Sequence, residues 1–408
     1  MAHPSKDIVS TEGNELEGKV IIHCITSSIS CFLAPEISRK LMRHGAKVIP
    51  VLSPEAAKFI NPLIFEWATG EIPITEIEGK VEHVQYAGLS KNKADLILIA
   101  PITANSISKI ANGIMDTSVT LIAGTALGNK IPIVIVPTMH EVMMYNPSIK
   151  ENFNKLEKMN VEILYPRIEE EKAKIPEIDT IVNHCIRSLS KSDFKDKKIL
   201  VTAGPTRAYI DGIRFISNPS SGKMGYAIAL EAWRRGGIVK LVYGASLLQP
   251  PSVLEKKIKT TTGDEMNSEV IKAIQEEKFD YVILAAAMND FIPEEYKKEK
   301  ISSAEKIDIT LIPAEKLADK IKAISPSTKL ILFKAEYQKD EDELTQIAIN
   351  RMRKANADLI IANDVSLQNY GFESDFNKVI IINSNGQKEI VEGKKIEIAK
   401  KICNALMK

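Results

Sequence analysis

Two continuous apolar runs, DLILIAP (Asp95–Pro101) and IPIVIVP (Ile131–Pro137), constrain the fold of this chain most. Each has the length of a strand and offers no polar face, which is typical of strands buried on both faces of a parallel sheet. Helix-like segments alternate with such runs, as where a helix ending at Gly45 is followed at once by AKVIPVL. The alternation predicts an α/β fold with helices on both faces of parallel sheets.

The 408 residues exceed one typical domain core, and a prior of about 150 residues per domain favours two domains here. A short charged stretch, KSDFKDKK at 191–198, offers little to bury and marks the predicted boundary. The resulting division is a flexible tail over 1–17, a first domain over 18–190, a linker over 191–197 and a second domain over 198–408.

Composition excludes several classes of protein. A net charge of +1 lacks the electrostatic footprint of nucleic-acid or membrane binding. The four cysteines are scattered without metal-ligand spacing, which favours reduced thiols over a zinc site or a disulfide framework. The N-terminus has no apolar signal core, and no run approaches bilayer length. We therefore expect a soluble cytoplasmic protein.

One short pattern recurs along the chain. Asp95 precedes LILIA, Asp280 precedes YVILAA and Asp358 precedes LIIAND, and each apolar run reaches an alanine near its end. Ligands of α/β proteins bind at the carboxyl ends of strands, where small residues permit close approach. A plain likeness between buried strands is the alternative explanation.

The predicted strands of the first domain end in small hydroxylic or amide-bearing residues that could hold a phosphate and an aromatic ring system. They are Thr26, Ser27, Ser28, Ser53, Thr103, Ala104 and Asn105. Any one of them could instead be a helix cap. His83 lacks a nearby metal-ligand partner, and spacing alone favours an ordinary surface role. His140 follows a strand end and could face a ligand, while Met139 and Met143 fit either a ligand site or a helix core.

The stretch from Ile199 to Glu231 carries the strongest site signal in the second domain. An apolar strand and a Gly/Pro turn lead into a polar loop with Arg207, Arg214 and Asn218, and then into a helix opened by NPSSGKMG. We expect Ser220 or Ser221 to cap that helix, and Gly222 and Gly225, on either side of Lys223 and Met224, to let the backbone approach a phosphate closely near the first-turn amides. The segment is not a Walker A loop, because Met224 follows the lysine.

These motifs resemble two enzyme families. TSSIS, His83, APITANSISKIANG and PTMHEVM resemble the FMN-dependent cysteine decarboxylases. AGPTRAYIDGIRFISNPSSGKMG, the segment from Ala285 to Asp290 and ANDVS resemble the phosphopantothenate cysteine ligases. Their order resembles the fused bifunctional proteins of coenzyme A biosynthesis. The resemblance implies a flavodoxin- or Rossmann-like parallel-sheet domain followed by a Rossmann-like mixed-sheet domain, each of three layers.

For the first domain the resemblance implies decarboxylation of phosphopantothenoylcysteine to 4′-phosphopantetheine. His83 would be catalytic, the seven strand-end residues would line FMN, and Met139, His140 and Met143 would contact the substrate. His140 stands where the family has asparagine, and Ser27 and Ser28 replace a glycine pair. The segment YPRIEEEKAKIPEID lacks the clamp cysteine of bacterial members. Either another group donates the proton there or the final step is impaired; Lys172 or Lys174 is a candidate contact, although a solvated charge run is an ordinary alternative.

For the second domain the resemblance implies CTP-dependent condensation of 4′-phosphopantothenate with cysteine through an acyl-nucleotidyl intermediate, with ATP as the other nucleotide option. Asn218 and Lys300 would be catalytic, Arg214 would bind the substrate carboxylate, and Mg²⁺ would share the phosphate charge. The implied nucleotide contacts are Ser220, Ser221, Gly222, Lys223, Ala286, Asp290, Lys300 and Phe333. The family also implies homo-oligomers, with trimeric decarboxylase contacts and dimeric ligase contacts. An active ligase carrying a catalytically degenerate scaffold domain, which binds FMN or serves oligomerisation, is the alternative function. A flavodoxin-like electron carrier would leave the second domain without a purpose.

Overall fold

The computed structural model describes residues 3–169, 172–302, 306–367 and 369–407, with the backbone alone at 167–169 and 172–174. The chain forms two compact units, Met1–Ser190 and Lys191–Lys408. No helix in the described ranges is both long and apolar enough to cross a membrane.

The first domain is built on a parallel sheet with strand order β2-β1-β3-β4-β5. Its strands are β1 (Val20–Ile25), β2 (Lys47–Leu52), β3 (Leu96–Ile102), β4 (Ile133–Pro137), β5 (Glu162–Ile163) and a separate hairpin of β6 (Arg167–Glu169) and β7 (Lys172–Lys174). Its helices are α1 (Ala34–Arg43), α2 (Pro54–Phe59), α3 (Leu63–Thr69), α4 (Glu82–Ala87), α5 (Ala104–Ala111), α6 (Ser118–Gly128), α7 (Glu141–Met144), α8 (Pro147–Lys158) and α9 (Ile178–Ser188). Short 3-10 helices cover Pro4–Ile8 and Ile29–Leu33.

Apolar cores cover both faces of this sheet. Side chains that alternate along β1 point to opposite sides, with Ile22 in a core shared with α5, α6 and α8 and Ile21 in a core shared with α1 and α9. Every residue of β3 is buried. The predicted three-layer arrangement and the parallel sheet are confirmed.

The predicted flexible tail is wrong for its described part. Leu16 is fully buried, its N–H donates to His44 O at 2.8 Å, and Ser10 N donates to Met42 O at 3.1 Å. His44 Nδ1 lies 2.8 Å from Glu15 Oε2. The polar composition of residues 3–17 concealed one apolar anchor and several backbone hydrogen bonds to the end of α1.

The second domain contains a mixed sheet with strand order β12-β11-β8-β13-β16-β17-β18-β19, in which the pairs involving β18 are antiparallel. Its strands are β8 (Lys198–Ala203), β9 (Arg207–Tyr209), β10 (Phe215–Ser217), β11 (Ile238–Tyr243), β12 (Lys256–Lys259), β13 (Tyr281–Leu284), β14 (Phe291–Pro293), β15 (Leu311–Pro313), β16 (Lys329–Glu336), β17 (Leu359–Asp364), β18 (Phe376–Asn383) and β19 (Lys388–Lys394). Its helices are α10 (Lys223–Arg234), α11 (Gly263–Glu276), α12 (Ala318–Ile324), α13 (Glu341–Lys354) and α14 (Lys395–Leu406). Helices α10 and α14 contribute to one core, and α11, α12 and α13 to another. The predicted mixed sheet is confirmed.

The predicted linker is instead part of the second domain. Phe194 is fully buried in its core, and Phe194 N donates to Arg235 O at 3.0 Å. The Arg235 guanidinium lies over the Phe194 ring and pairs with Asp193. A single aromatic anchor within a charged stretch is enough to order the segment.

The recurring aspartates occupy equivalent places at the amino ends of parallel strands. In each case Oδ2 accepts a hydrogen bond from a backbone N–H at the start of the neighbouring strand: Asp95 from Val20 at 2.8 Å, Asp280 from Lys198 at 2.9 Å and Asp358 from Leu330 at 2.8 Å. The carboxylate thereby satisfies a strand-end donor that would otherwise lack a partner. The pattern therefore reflects strand pairing at the edge opposite the predicted ligand sites.

Candidate functional sites

Thr26 joins the carboxyl ends of β1 and β3. Its Oγ1 donates to Pro101 O at 3.1 Å and accepts from Thr103 N at 2.9 Å, and the residue is almost fully buried. The neighbouring strand end is tied to the same place, because Ser53 N donates to Ile25 O at 2.9 Å. The structure thus brings Thr26, Ser53 and Thr103 together at one edge of the sheet.

Three predicted FMN residues open helices at this edge. Each side chain accepts a hydrogen bond from a backbone N–H two or three residues later: Ser28 from Ser30 at 3.3 Å, Ser53 from Ala56 at 3.2 Å and Thr103 from Ser106 at 3.5 Å. The helix-cap role is therefore filled at all three positions. Of the others, Ser27 is half-buried, Ala104 is buried and Asn105 is exposed.

The donor chemistry of this edge fits a phosphate-bearing aromatic ligand. The seven predicted residues carry no charge and combine hydroxyls with the starts of helices, whose N–H groups favour anions. Thr138, directly after β4, is buried, and its Oγ1 has no hydrogen-bond partner within the described chain. A buried hydroxyl left unpaired costs about 1–3 kcal/mol, so a polar ligand atom at this edge would offset that cost.

His83 lies in the first turn of α4, half-buried. Helix α4 packs against α6, whose Asn129 side chain donates to Ala87 O and Gly88 O. At its other end, α6 reaches the strand-end edge, where Ser118 Oγ donates to Leu52 O at 2.8 Å. Among the described contacts, none joins His83 itself to the strand-end residues.

The segment after β4 presents its predicted residues in different surroundings. Met139 packs against the core, His140 is exposed at the start of α7, and the side chain of Met143 is 47% exposed. The clamp segment forms the β6–β7 hairpin. The side chains of Lys172 and Lys174 lie outside the described part of the structure.

The start of α10 differs from the prediction. Gly222, with φ of 79°, is the N-cap, and neither Ser220 nor Ser221 caps the helix through its side chain. A Cβ on Gly222 would lie 3.2 Å from Gly204 Cα, so both the positive φ and this close approach require glycine. Gly225 has a different role from the predicted one, because a Cβ there would lie 2.6 Å from Ala203 Cβ in β8. The first-turn N–H groups of α10 are left without a side-chain cap.

Ser221 and Lys223 contact a loop that precedes β18. Ser221 Oγ donates to Phe372 O at 2.8 Å, and Lys223 Nζ donates to Glu373 O at 2.9 Å and Asp375 Oδ1 at 2.6 Å. Ser220 Oγ accepts from Gly222 N at 3.4 Å. The predicted nucleotide loop is therefore held by residues about 150 positions later in the chain.

The polar loop predicted to carry Arg207 and Arg214 contains the β9–β10 hairpin. Arg207 stacks over the Phe215 ring at 4.3 Å. Arg214 is fixed by Asp211, whose Oδ2 accepts from Arg214 Nη1 at 3.0 Å, while Arg214 Nη1 also donates to Ile301 O at 3.2 Å. The structure thereby places Arg214 next to the segment that contains Lys300, which is exposed.

Asp211 organises this corner of the domain and is not among the predicted site residues. It is fully buried, and it accepts from the backbone N–H groups of Ile213, Arg214 and Ile301. Hydrogen bonds from Arg214 N–H and Ile213 N–H, together with the Arg214 charge, lower the pKa of the Asp211 carboxyl. The Asp-Gly pair in YIDGIR is the available sequence signal, because Asp often accepts from its own backbone two residues on.

Asn218 is anchored to the segment that follows β13. Its Nδ2 donates to Met288 O at 3.0 Å and Ala287 O at 3.3 Å. A second hydrogen bond joins the same two segments, because Asn289 Nδ2 donates to Ile216 O at 2.9 Å. The structure therefore places Asn218 near Ala286, and both residues were predicted to belong to one site.

The remaining predicted nucleotide contacts lie around this segment. Asp290 is exposed and pairs with Lys316. Phe333 lies within β16 rather than at its end, but the preceding residue, Leu332, pairs with Leu284, the last residue of β13. Phe333 is thus half-buried beside the point where the Ala285–Asp290 segment begins.

Comparisons with known proteins agree with this arrangement. Residues 9–190 match the family described as Flavoprotein, and residues 194–408 match the DNA/pantothenate metabolism flavoprotein C-terminal domain. The coenzyme A biosynthesis bifunctional protein CoaBC of Thermococcus kodakarensis is 41% identical over 408 residues, covering all of both chains. The chain belongs to the CoaBC family. It is a bifunctional enzyme that combines a flavoprotein decarboxylase domain with a ligase domain.

A second full-length relative supports the same assignment. The protein of Methanocaldococcus jannaschii is 38% identical, covering 100% of this chain and 98% of its own. A crystal structure of the C-terminal domain of a CoaBC protein is 31% identical and covers 53% of this chain and 97% of its own, with a TM-score of 0.43. The predicted bifunctional family is confirmed.

Proposed function

We propose that the second domain of this CoaBC protein condenses 4′-phosphopantothenate with cysteine at the expense of CTP. The carboxylate first attacks the α-phosphate and forms an acyl cytidylate with release of pyrophosphate, and the cysteine amine then displaces cytidine monophosphate. The observation that carries the proposal is the convergence of Arg214 and Asn218 on the Ala285–Asp290 and Lys300 segments.

The charge distribution assigns roles within this reaction. Arg214 holds the substrate carboxylate, and Asn218 positions the anhydride near the uncapped first turn of α10. The amides of that turn and the exposed Lys300 stabilise negative charge that develops on the phosphates. No group of three His, Cys, Asp or Glu side chains among the described residues could hold a metal. We therefore assign Mg²⁺ to the nucleotide phosphates.

The first domain then decarboxylates phosphopantothenoylcysteine. FMN held at this edge would supply two-electron oxidation of the substrate thiol and the matching reduction after the carboxylate has left, so that the overall reaction is redox-neutral. The strand-end hydroxyls and helix starts orient the cofactor, His83 moves the substrate proton, and His140 donates a hydrogen bond to the substrate carboxylate. The unpaired Thr138 hydroxyl supports a polar ligand at this edge.

A degenerate first domain is the second candidate, motivated by the absence of cysteine from the clamp hairpin. Purified protein given phosphopantothenoylcysteine under anaerobic conditions separates the two. We expect stoichiometric release of carbon dioxide and formation of 4′-phosphopantetheine. A protein that binds FMN but releases no carbon dioxide would be the scaffold.

We also propose that the enzyme is a cytoplasmic homo-oligomer. Four buried, unpaired cysteines fit a reducing compartment. Ile29 and Phe32 lie in the short 3-10 helix that follows Ser28 and are 81% and 66% exposed, and Trp67 is 75% exposed. Large apolar side chains exposed near a ligand edge are typical of contact surfaces. Light scattering should give a multiple of the chain mass that Trp67→Glu lowers, whereas a monomeric wild-type protein would exclude the proposal.

The identity of the nucleotide is tested by measuring pyrophosphate release with CTP and ATP separately, in the presence of phosphopantothenate. We expect kcat/KM to favour CTP by at least about 10²-fold, a ratio that a site reading one base by hydrogen bonds can reach. Preference for ATP would reassign the nucleotide without changing the rest of the proposal.

A further inference from the structure

Helix α14 also forms hydrogen bonds to the loop that Ser221 and Lys223 contact. We define residues 369–375 as the latch loop. Besides Ser221 and Lys223 at the start of α10, Lys395 in the first turn of α14 reaches this loop, and its Nζ donates to Phe372 O at 3.0 Å and Gly371 O at 3.3 Å. Side chains from two helices thus bind consecutive carbonyls of one short loop.

Lys395 occupies an unfavourable place for a lysine. It is only 6% exposed, and its described hydrogen bonds go to carbonyl oxygens rather than to a carboxylate. The first turn of a helix carries the positive end of the helix dipole, which disfavours a cation. An ammonium buried there must gain its stability from these carbonyls, so its loss would release the loop.

The surrounding charges make this ammonium easier to deprotonate. Burial, followed by repulsion from Lys223 on α10, lowers the pKa of Lys395 to about 8, while Asp375 of the latch loop opposes the change. Lys394, beside it at the start of α14, adds another positive charge near Asp375. The three lysines together face one aspartate.

We propose that Lys395 is a positioning residue for nucleotide binding, which acts by holding the latch loop against the first turn of α10. The inference rests on the proposed function, because it takes Ser221 and Lys223 to belong to the nucleotide site. With Lys395 in place, Phe372 O fixes the hydroxyl of Ser221, and Glu373 O and Asp375 fix the ammonium of Lys223. Without the Lys395 ammonium, the Ser221 hydroxyl and the Lys223 ammonium lose their fixed partners. The conformation of this region that binds the nucleotide then becomes a minor one.

The test compares Lys395→Met and Lys395→Arg with Lys401→Met, a change at an exposed lysine of the same helix. We expect Lys395→Met to raise the KM for CTP at least about tenfold with kcat and the KM for cysteine within about threefold of wild type. Lys395→Arg retains the positive charge and should have a KM for CTP close to that of the wild type. Lys401→Met should have the wild-type KM for CTP. Thermal unfolding and hydrogen exchange of residues 369–375 report whether Lys395→Met is folded and whether the latch loop alone has loosened.

A pH series adds a readout that a purely structural lysine would not change. The wild-type KM for CTP should rise between pH 7 and pH 9 as Lys395 loses its proton, and the rise should be absent in Lys395→Arg, whose side chain stays charged. An unchanged KM in a folded Lys395→Met protein would overturn the latch while leaving CTP turnover intact. Absence of CTP-dependent ligation in the wild type would overturn the proposed function, and the nucleotide role of Lys395 with it.

Discussion

Asp211 Oδ2 accepts a hydrogen bond from Arg214 Nη1 at 3.0 Å, and the same oxygen accepts from Ile301 N at 3.2 Å. One buried carboxylate therefore aligns the Arg214 guanidinium, which we propose binds the substrate carboxylate, with the segment that carries Lys300. The connection spans about 90 positions of sequence and links the β9–β10 hairpin to the loop after β14.

Replacing Asp211 with Asn should impair ligation through geometry. Asn keeps the shape but gives up the charge, and its amide NH₂ would face the Arg214 or Ile301 donor. Because a misplacement of about 1 Å can cost about 10²-fold in rate, we expect kcat/KM for phosphopantothenate to fall by that order. Carbon dioxide release from phosphopantothenoylcysteine should not change. Asp342→Asn, at an exposed position of α13, is the matched control, and equal activity of the two variants would remove Asp211 from this role.

Asn218→Asp should stop the reaction after the first step. The Asn218 amide donates to Ala287 O and Met288 O, and a carboxylate would bring an oxygen against these two carbonyl oxygens instead. The anhydride would then lack the group that positions it for attack by the cysteine amine. We expect pyrophosphate release with little phosphopantothenoylcysteine, measured by mass spectrometry of quenched reactions. Asn385→Asp in an exposed turn is the control, and wild-type product formation by Asn218→Asp would contradict the assignment.

Gly222→Ala should damage the ligase site and destabilise the second domain. A Cβ at this position meets Gly204 Cα at 3.2 Å, and the backbone has φ of 79°. Forcing a non-glycine residue into this conformation costs about 1–3 kcal/mol. Gly128→Ala provides the contrast, because no atom lies within 4 Å of the added methyl. The midpoint temperature of thermal unfolding and the rate of CTP turnover should both fall for Gly222→Ala and stay at the wild-type values for Gly128→Ala. Unchanged values for Gly222→Ala would show that the turn adapts to the added methyl group.

The buried His23 should make the first domain sensitive to acid. Its Nε2–H donates to Ala100 O, its Nδ1 accepts from Ser38 Oγ, and burial lowers its pKa from 6.5 to about 4. The unfolded chain binds this proton more readily, so the stabilisation is complete above about pH 6.5 and declines as the pH falls towards 4. With 1.36 kcal/mol per pKa unit, the loss reaches about 3 kcal/mol. Urea unfolding followed by circular dichroism should show about 2 kcal/mol of this loss between pH 7.5 and pH 5, because the protonation of the folded state is complete only below pH 4.

The same experiment on His23→Gln isolates this residue from other acid-sensitive groups. The variant should be less stable at pH 7.5 but should lose less on acidification than the wild type does. Identical pH dependence of the two proteins would show that another group is responsible.

The sequence was sufficient to predict the two sheets and to predict that some candidate site residues lie close together, and the reasons are physical. Apolar runs of strand length such as Leu96–Ile102 are typical of strands buried in a parallel sheet. The carboxyl ends of neighbouring parallel strands lie at one edge, which is why Thr26, Ser53 and Thr103 meet. Asn218 and Ala286 likewise lie together because β8 and β13 are neighbours.

What the sequence could not predict depends on contacts between distant residues. The burial of Leu16 and Phe194, each flanked by polar residues, depends on which surface lies opposite. The N-cap at Gly222 rather than at a serine depends on the approach of Gly204. Asp211 and Lys395 act on segments that are distant in sequence, Ile301 in one case and Phe372 in the other, so local composition gave them no distinguishing mark.

If one chain carries two independent active sites, a crossed assay of both half reactions will separate them. His83→Asn and Lys300→Gln proteins are each supplied with CTP, phosphopantothenate and cysteine, and separately with phosphopantothenoylcysteine. We predict that His83→Asn abolishes carbon dioxide release while pyrophosphate release continues at the wild-type rate, and that Lys300→Gln does the reverse. Loss of both reactions in either folded variant, or of neither, would contradict the account.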